Sequence, residues 1–314
     1  MKFPKAEYIP RPLAAQAGGS GTLLWKPMTD KEVSQREPGA SLQTWKLTVA
    51  YDGTEFRGWH VQPGEYTVQG ELQKALGRVT GETPLPQGSG RTDAGVHALA
   101  QVASFALRAP IPEENLLRAL NRTLPEAIRV LEARTVASPF HARHSATAKT
   151  YEYRIFRGEI CPPFLARYVY ACPWPMDVSA LEDSAAVFLG EHNFLSFAAS
   201  DPDLTTRKLA ADPGVTIEAP SAVRTVSLSA WERRHEEAGE LLVYRVRGNG
   251  FLHHMVRNLV GTMIDVSRGH LGVGDLAGIL AAQCRSAAGP TAPARGLILH
   301  SVEYGEAEDS ALLT

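Results

Sequence analysis

The chain has 314 residues, a formal net charge of −2 and a hydrophobic share of 44%, the proportions of a soluble globular protein with core enough for one large or two smaller domains. No apolar run is long enough to span a bilayer, and the N-terminus lacks the basic-then-apolar order of a signal peptide, so the expectation is a cytoplasmic protein. Cys161, Cys172 and Cys284 stand far apart with no C-x-x-C pair, which fits a reducing compartment and argues against a structural zinc site or a disulfide frame.

Residues 1–43 hold five prolines and no periodicity, and read as an extension with little structure of its own. From Trp45 the pattern becomes regular: Trp45, Leu47, Val49 and Tyr51 alternate as in a half-buried strand. Thr67 caps a helix with the apolar face Val68, Leu72, Ala75, Leu76 and Val79, ended near Gly81. Residues 98–107 return as a strand, Pro112 starts a helix carrying Leu116, Leu117 and Leu120, and Ile128 to Val136 is a further strand. The second half repeats the theme: a strand at Thr150–Phe156, a helix at Ala180–Leu189 stopped by Gly190, and strands at Val223–Trp231 and Leu241–Val246. A largely apolar helix follows over Phe251–Ser267, then a shorter one over Asp275–Gln283 and a closing strand over Leu297–Tyr304. The pattern predicts an α+β fold with two sheet-bearing halves. Ser200–Ala222 is longer and more polar than an ordinary connection.

Between the first helix and the strand at 98–107 lies Gly90-Arg91-Thr92-Asp93-Ala94-Gly95-Val96-His97. An arginine and a carboxylate two residues apart, bracketed by glycines that permit unusual backbone angles or close approach to a ligand, suit a functional loop. A solvated charged turn has the same local chemistry. The helix from Phe251 is apolar through Leu252, Met255, Val256, Leu259, Val260, Met263 and Ile264. It keeps a narrow polar strip of His253, His254, Arg257, Asn258, Gly261 and Asp265. An arginine on such a seam calls for a carboxylate or a phosphate; the plain alternative is a surface arginine paired with Asp265 or with nothing. Tyr151 and Tyr153 alternate on one strand, the usual signature of core packing. Arg143, Lys149, Arg154 and Arg157 stand against Glu152 alone between Phe140 and Gly158, a local basic strip in a chain of near-neutral charge.

The loop resembles the G-R-T-D-A-G-V-H signature of the tRNA pseudouridine synthase A family, complete over eight residues. Tyr51-Asp52-Gly53, Gly58-Trp59, Val68-Gln69-Gly70-Glu71-Leu72, Phe140-His141-Ala142-Arg143 and Lys149-Thr150-Tyr151-Glu152-Tyr153 resemble further family segments. So do His254-Met255-Val256-Arg257-Asn258, Ala292-Pro293 and Gly296-Leu297, in family order from about Trp45 to Tyr304. The resemblance implies two ferredoxin-like subdomains with a joined, mainly antiparallel sheet and a cleft between them. Here these would be residues 44–149 and 150–306, flanked by the extension 1–43 and a tail 307–314. It implies isomerisation of uridine to pseudouridine at positions 38–40 of the tRNA anticodon stem-loop, by a homodimer, with no cofactor or metal. Asp93 would be the essential carboxylate, acting as nucleophile, as electrostatic partner of a ribosyl cation or as base toward a sugar proton. Arg257 would pair with it, Tyr151 would stack on the uracil, Leu297 would pack the base, and Arg91 would stabilise the RNA from which the nucleotide is flipped. Arg57, Arg143 and Lys149 are further candidates for phosphate contact. Two departures fall near RNA-facing segments: His60 replaces a usual glutamine, and His253 a frequent arginine.

Two other classes are weighed. An RNA-binding protein without catalysis has no use for a buried Asp–Arg pair. A nucleoside hydrolase needs a second carboxylate or a metal cluster beside Asp93, and the loop offers neither.

Overall fold

The structure is a computed structural model that describes residues 41–199 and 221–305. The expected N-terminal extension, the C-terminal tail and nearly all of the long polar connection therefore lie outside the described residues. Alternation puts Trp45, Leu47, Val49 and Tyr51 on the buried face of β1 (Gln43–Tyr51). In α1 (Val68–Thr80) the Thr67 hydroxyl accepts the Gly70 amide and Gly81 closes the helix in the left-handed region, so the punctuation works as its chemistry predicts. After β2 (Gln87–Gly88) and β3 (His97–Leu107), Pro112 leads into α2 (Glu113–Thr123), and β4 (Ile128–Val136) completes the first half.

The second half runs β5 (Ala146–Arg157), α3 (Pro163–Ala166), β6 (Tyr170–Ala171), α4 (Val178–Val187), β7 (Gly190–Asn193), β8 (Val223–Glu236), β9 (Gly239–Gly248), α5 (Met255–Ser267), α6 (Asp275–Ala282) and β10 (Leu297–Tyr304). Two helices depart from the periodicity. α4 starts at Val178 because the Asp177 carboxylate accepts the amides of Ser179 and Ala180, and Gly190, at φ 95°, opens β7 instead of ending the helix. α5 starts at Met255, four residues late, because His254 takes φ 58° and detaches the segment before it. β8 and β9 are longer than expected because they form one hairpin, paired down to Glu236 and Gly239.

Ten strands among the described residues form one sheet. Its main path is β4-β1-β3-β10-β5-β9-β8-β7, with β2 beside β3 and β6 beside β5. The pairing is mainly antiparallel, as expected for this α+β class. The last strand of the chain lies in the middle. β10 pairs with β5 along its length but meets β3 in parallel through only Ile298 with His97 and Leu299 with Ala98. This short seam joins the strands of the first half to those of the second. The apolar sides of α1, α2, α4, α5 and α6 feed one continuous core cluster that extends from Trp45 to Leu299.

α5 is the most enclosed helix, and its polar strip is covered rather than solvated. Asn258 is fully buried; its amide donates to the Phe197 carbonyl at 2.7 Å and its carbonyl oxygen accepts from Arg285 and Thr291. The following chain crosses so closely that a Cβ at Gly261 would overlap the Pro290 carbonyl oxygen. Gly261→Ala gains helix propensity but overpacks this crossing, so the expected result is a net destabilisation of about 1–3 kcal/mol. Urea unfolding of the two proteins measures it; equal midpoints would show that the crossing yields freely.

Candidate active site

The loop 90–97 enters the seam just before β3, and its ends are anchored differently. Gly95 takes φ 76° while the Val96 amide closes a turn on the Asp93 carbonyl at 3.1 Å. Gly90 needs no positive φ; its missing side chain leaves room for the Lys149 ammonium, 3.1 Å from where a Cβ would sit. The Thr92 carbonyl accepts the Trp59 amide at 3.0 Å, and the Thr92 hydroxyl lies 2.8 Å from the buried Tyr51 phenol. Burial pushes that phenol up to about 12, so Tyr51 stays neutral and serves as a polar anchor. Gln101 holds the loop's entrance, donating to the Gly90 carbonyl and accepting from the Ser89 hydroxyl.

His97 is buried and braces the exit. Its Nδ1 is 3.0 Å from the Gly53 amide and its Nε2 is 3.1 Å from the Arg167 carbonyl. Burial holds the imidazole below its ordinary value, which favours the neutral ring that accepts from Gly53 and donates to Arg167.

Asp93 is one-fifth exposed and faces three cationic or hydrogen-bonding groups. Arg257 Nη1 donates to Asp93 Oδ2 at 2.9 Å, while Arg257 Nε donates to the Ala292 carbonyl at 2.8 Å. The guanidinium is thus held from two sides, and Asp265 pairs with His270 instead. His254 Nε2 lies 3.3 Å from Oδ2 and His253 Nε2 lies 3.5 Å from Oδ1. Burial works to raise the Asp93 carboxyl, but the His253 hydrogen bond, the His254 charge and Arg257 together outweigh it. The group therefore sits below the ordinary carboxylate range and is ionised at neutral pH. Ligand atoms of Asp93, His253 and His254 lie within 4.8 Å of one another, a grouping a metal ion could use. The Arg257 guanidinium already supplies the compensating positive charge there.

Tyr151 is buried, edge-on to Phe251 with ring centroids 5.0 Å apart. Burial first, then Tyr51 and the Asp93 charge, raise its phenol far above the ordinary value, so it too remains protonated. Tyr153 packs fully inside and donates to the Pro293 carbonyl at 2.8 Å, a structural role. Leu297, buried, stands opposite Tyr153 in the β10–β5 register, two residues from the partner of Tyr151. Arg91 is exposed on the loop's rim. Arg57 is exposed and faces Glu65 at 3.5 Å. Arg143 is exposed and Lys149 half-buried.

The basic strip expected between Phe140 and Gly158 divides. Arg154 is paired with Glu152 and Arg157 with Glu240, which leaves Arg143 and Lys149 near the loop. His60, the first departure, bonds Gln69 beside α1. Sequence reasoning missed Tyr51 as the loop's anchor and the two histidines as flanks of Asp93. The Tyr-Asp-Gly segment marked the first, but no spacing rule signals a left-handed histidine.

A family profile described as tRNA pseudouridine synthase matches residues 47–145 and 185–305. A tRNA pseudouridine synthase A of Solibacter usitatus is 51% identical over 259 residues, covering 82% of this chain and 98% of its own. Proteins of the same name from Moorella thermoacetica and Lacticaseibacillus casei are 43% and 42% identical, each over 261 residues. They cover 82% and 83% of this chain, and 98% and 99% of their own.

The arrangement makes a pH profile diagnostic. With His253→Ala and His254→Ala combined, burial is opposed by Arg257 alone. The Asp93 carboxyl then rises, and the acid limb of the kcat/KM profile moves to higher pH. An unmoved limb would show that Arg257 suffices to hold the charge.

Proposed function

The chain belongs to the tRNA pseudouridine synthase family, isomerases that convert uridine to pseudouridine in tRNA, and from this we propose that Asp93 carries the reaction on uridines of the anticodon stem-loop, at positions 38–40. One observation supports the assignment above the others: a carboxylate mostly shielded from water yet ionised, held by an arginine that is itself clamped to a backbone carbonyl. Breaking the N1–C1′ bond develops positive charge on the ribose or demands a nucleophile or base, and an ionised, preorganised carboxylate serves each of these. The base is rejoined through C5 within the same site, so a second carboxylate to activate water has no task.

Around Asp93 the roles divide by chemistry. Arg257 holds the carboxylate ionised and oriented. Tyr151, kept neutral, offers a ring face to the uracil, and Leu297 packs the base from the sheet. Arg91, exposed on the loop, stacks on or holds the RNA from which the nucleotide leaves. Arg57, Arg143 and Lys149 are proposed phosphate contacts. We divide the chain into subdomains at 44–149 and 150–306, joined at the seam of β3 and β10, and place the enzyme in the cytoplasm as a homodimer. No helix among the described residues is long and apolar enough to cross a membrane.

Wild type and Asp93→Asn are compared on tRNA carrying tritium at uracil C5. Wild type releases tritium to water, and the variant's rate falls more than about a thousandfold while tRNA binding persists. Equal release would remove Asp93 from the chemistry. Carbodiimide mapping of the product tRNA finds the modification at 38–40, and a modification confined to another stem refutes the site. Sedimentation of the active enzyme shows a dimer; a fully active strict monomer refutes the assembly.

A further inference from the structure

We infer that Arg224, with Lys149 and Arg143, forms a binding site for a phosphodiester of the RNA backbone beside the catalytic loop, a deepening that rests on the tRNA reading above. The three side chains come from separate elements. Lys149 projects from β5 and donates to the Ser89 carbonyl at 2.5 Å, at the root of the loop that carries Asp93. Arg224 lies at the start of β8, two residues before Val226. In register, Val226 stands beside Gly248 and Gly248 beside Lys149, which brings Arg224 to the same end of the sheet two strands away.

The backbone there is shaped to present Arg224. Asn249 exchanges two hydrogen bonds with Thr225, each 3.1 Å, and Arg224 Nε passes 3.3 Å from where a Cβ of Gly250 would stand. Arg224 Nη1 donates to the carbonyls of Ser221 and Val223 at 2.7 and 2.6 Å. That fixes the guanidinium without neutralising it. The next residue after Gly250 is Phe251, the ring against Tyr151, so the cluster borders the proposed base site.

The charge balance is what calls for an anion. On the same sheet, Arg154 and Arg245 share Glu152, Arg157 and Arg233 share Glu240, and Arg247 takes Glu303. Among the described residues Arg143, Lys149 and Arg224 have no such carboxylate. Burial, then the charges of Arg143 and Arg224, lower the Lys149 ammonium to about 8. Burial also lowers Arg224. A half-buried ammonium flanked by the half-buried Arg224 and the exposed Arg143 is stabilised by a shared anion, and a phosphodiester carries the right charge and acceptors.

The test titrates wild type, Arg224→Gln, Lys149→Gln and Arg224→Lys with an anticodon stem-loop RNA at several KCl concentrations. In each Gln variant binding weakens about tenfold and the slope of log Kd against log[KCl] falls by about one; Arg224→Lys keeps the slope. Stem-loops with a single methylphosphonate, walked along the strand, then locate the contact. At one position wild type loses affinity while Arg224→Gln loses no more. Unchanged slopes, or losses that add independently at every methylphosphonate, overturn the site. If Arg224→Gln fails to fold, the methylphosphonate walk on wild type and Lys149→Gln decides. Tritium release by wild type is read in the same preparations. Its absence would refute uridine isomerisation, whereas normal release with unchanged slopes refutes this site alone.

Discussion

A carboxylate shut away from most solvent is costly unless opposite charge and hydrogen bonds are brought to it, and the Asp93–Arg257 contact is the point on which this fold's arrangement turns. The two residues are 164 positions apart in sequence. For them to meet, the loop before β3 and the first turn of α5 must converge on one place. The clamp of Arg257 on the Ala292 carbonyl then ties that place to the chain leading into β10. Three segments are therefore fixed by one guanidinium.

The sheet order follows the same requirement. β10, the last strand, is inserted between β3 and β5, so Leu297 arrives beside Tyr153 and near Tyr151. The parallel contact of β10 with β3 covers only two residue pairs, which leaves the end of the seam open for the loop that carries Asp93. A longer pairing there would occupy that loop's backbone in ladder hydrogen bonds. The late start of α5 has a related effect. His254 in the left-handed region turns the chain so that two successive imidazoles reach the same carboxylate.

Charge is spent unevenly across the surface. A net charge of −2 conceals arginines paired with glutamates on the sheet and, near the loop, the cations Arg143, Lys149 and Arg224, which have no such partner among the described residues. Paired surface ions contribute little to stability or to recognition, while unpaired ones close to a reactive group shape the local field. Near-neutral composition is thus compatible with an RNA substrate.

Much of the fold was legible in the chain because local physics wrote it. Alternation marked β1, Thr67 and Gly81 bounded α1, and β4 fell at its expected residues, since burial on one face and capping depend only on near neighbours. The eight-residue loop and the polar seam of α5 likewise announced themselves by residue type. What the sequence left open were choices that depend on distant chain. Arg257 had Asp265 close by and a partner far away, and only the folded chain brings Asp93 to it while His270 takes Asp265. The start of α5, the split of the basic strip and the Tyr51 anchor were decided in the same way. Each answers to charges and carbonyls supplied by other elements, and a periodicity of 2 or 3.6 residues carries no information about those.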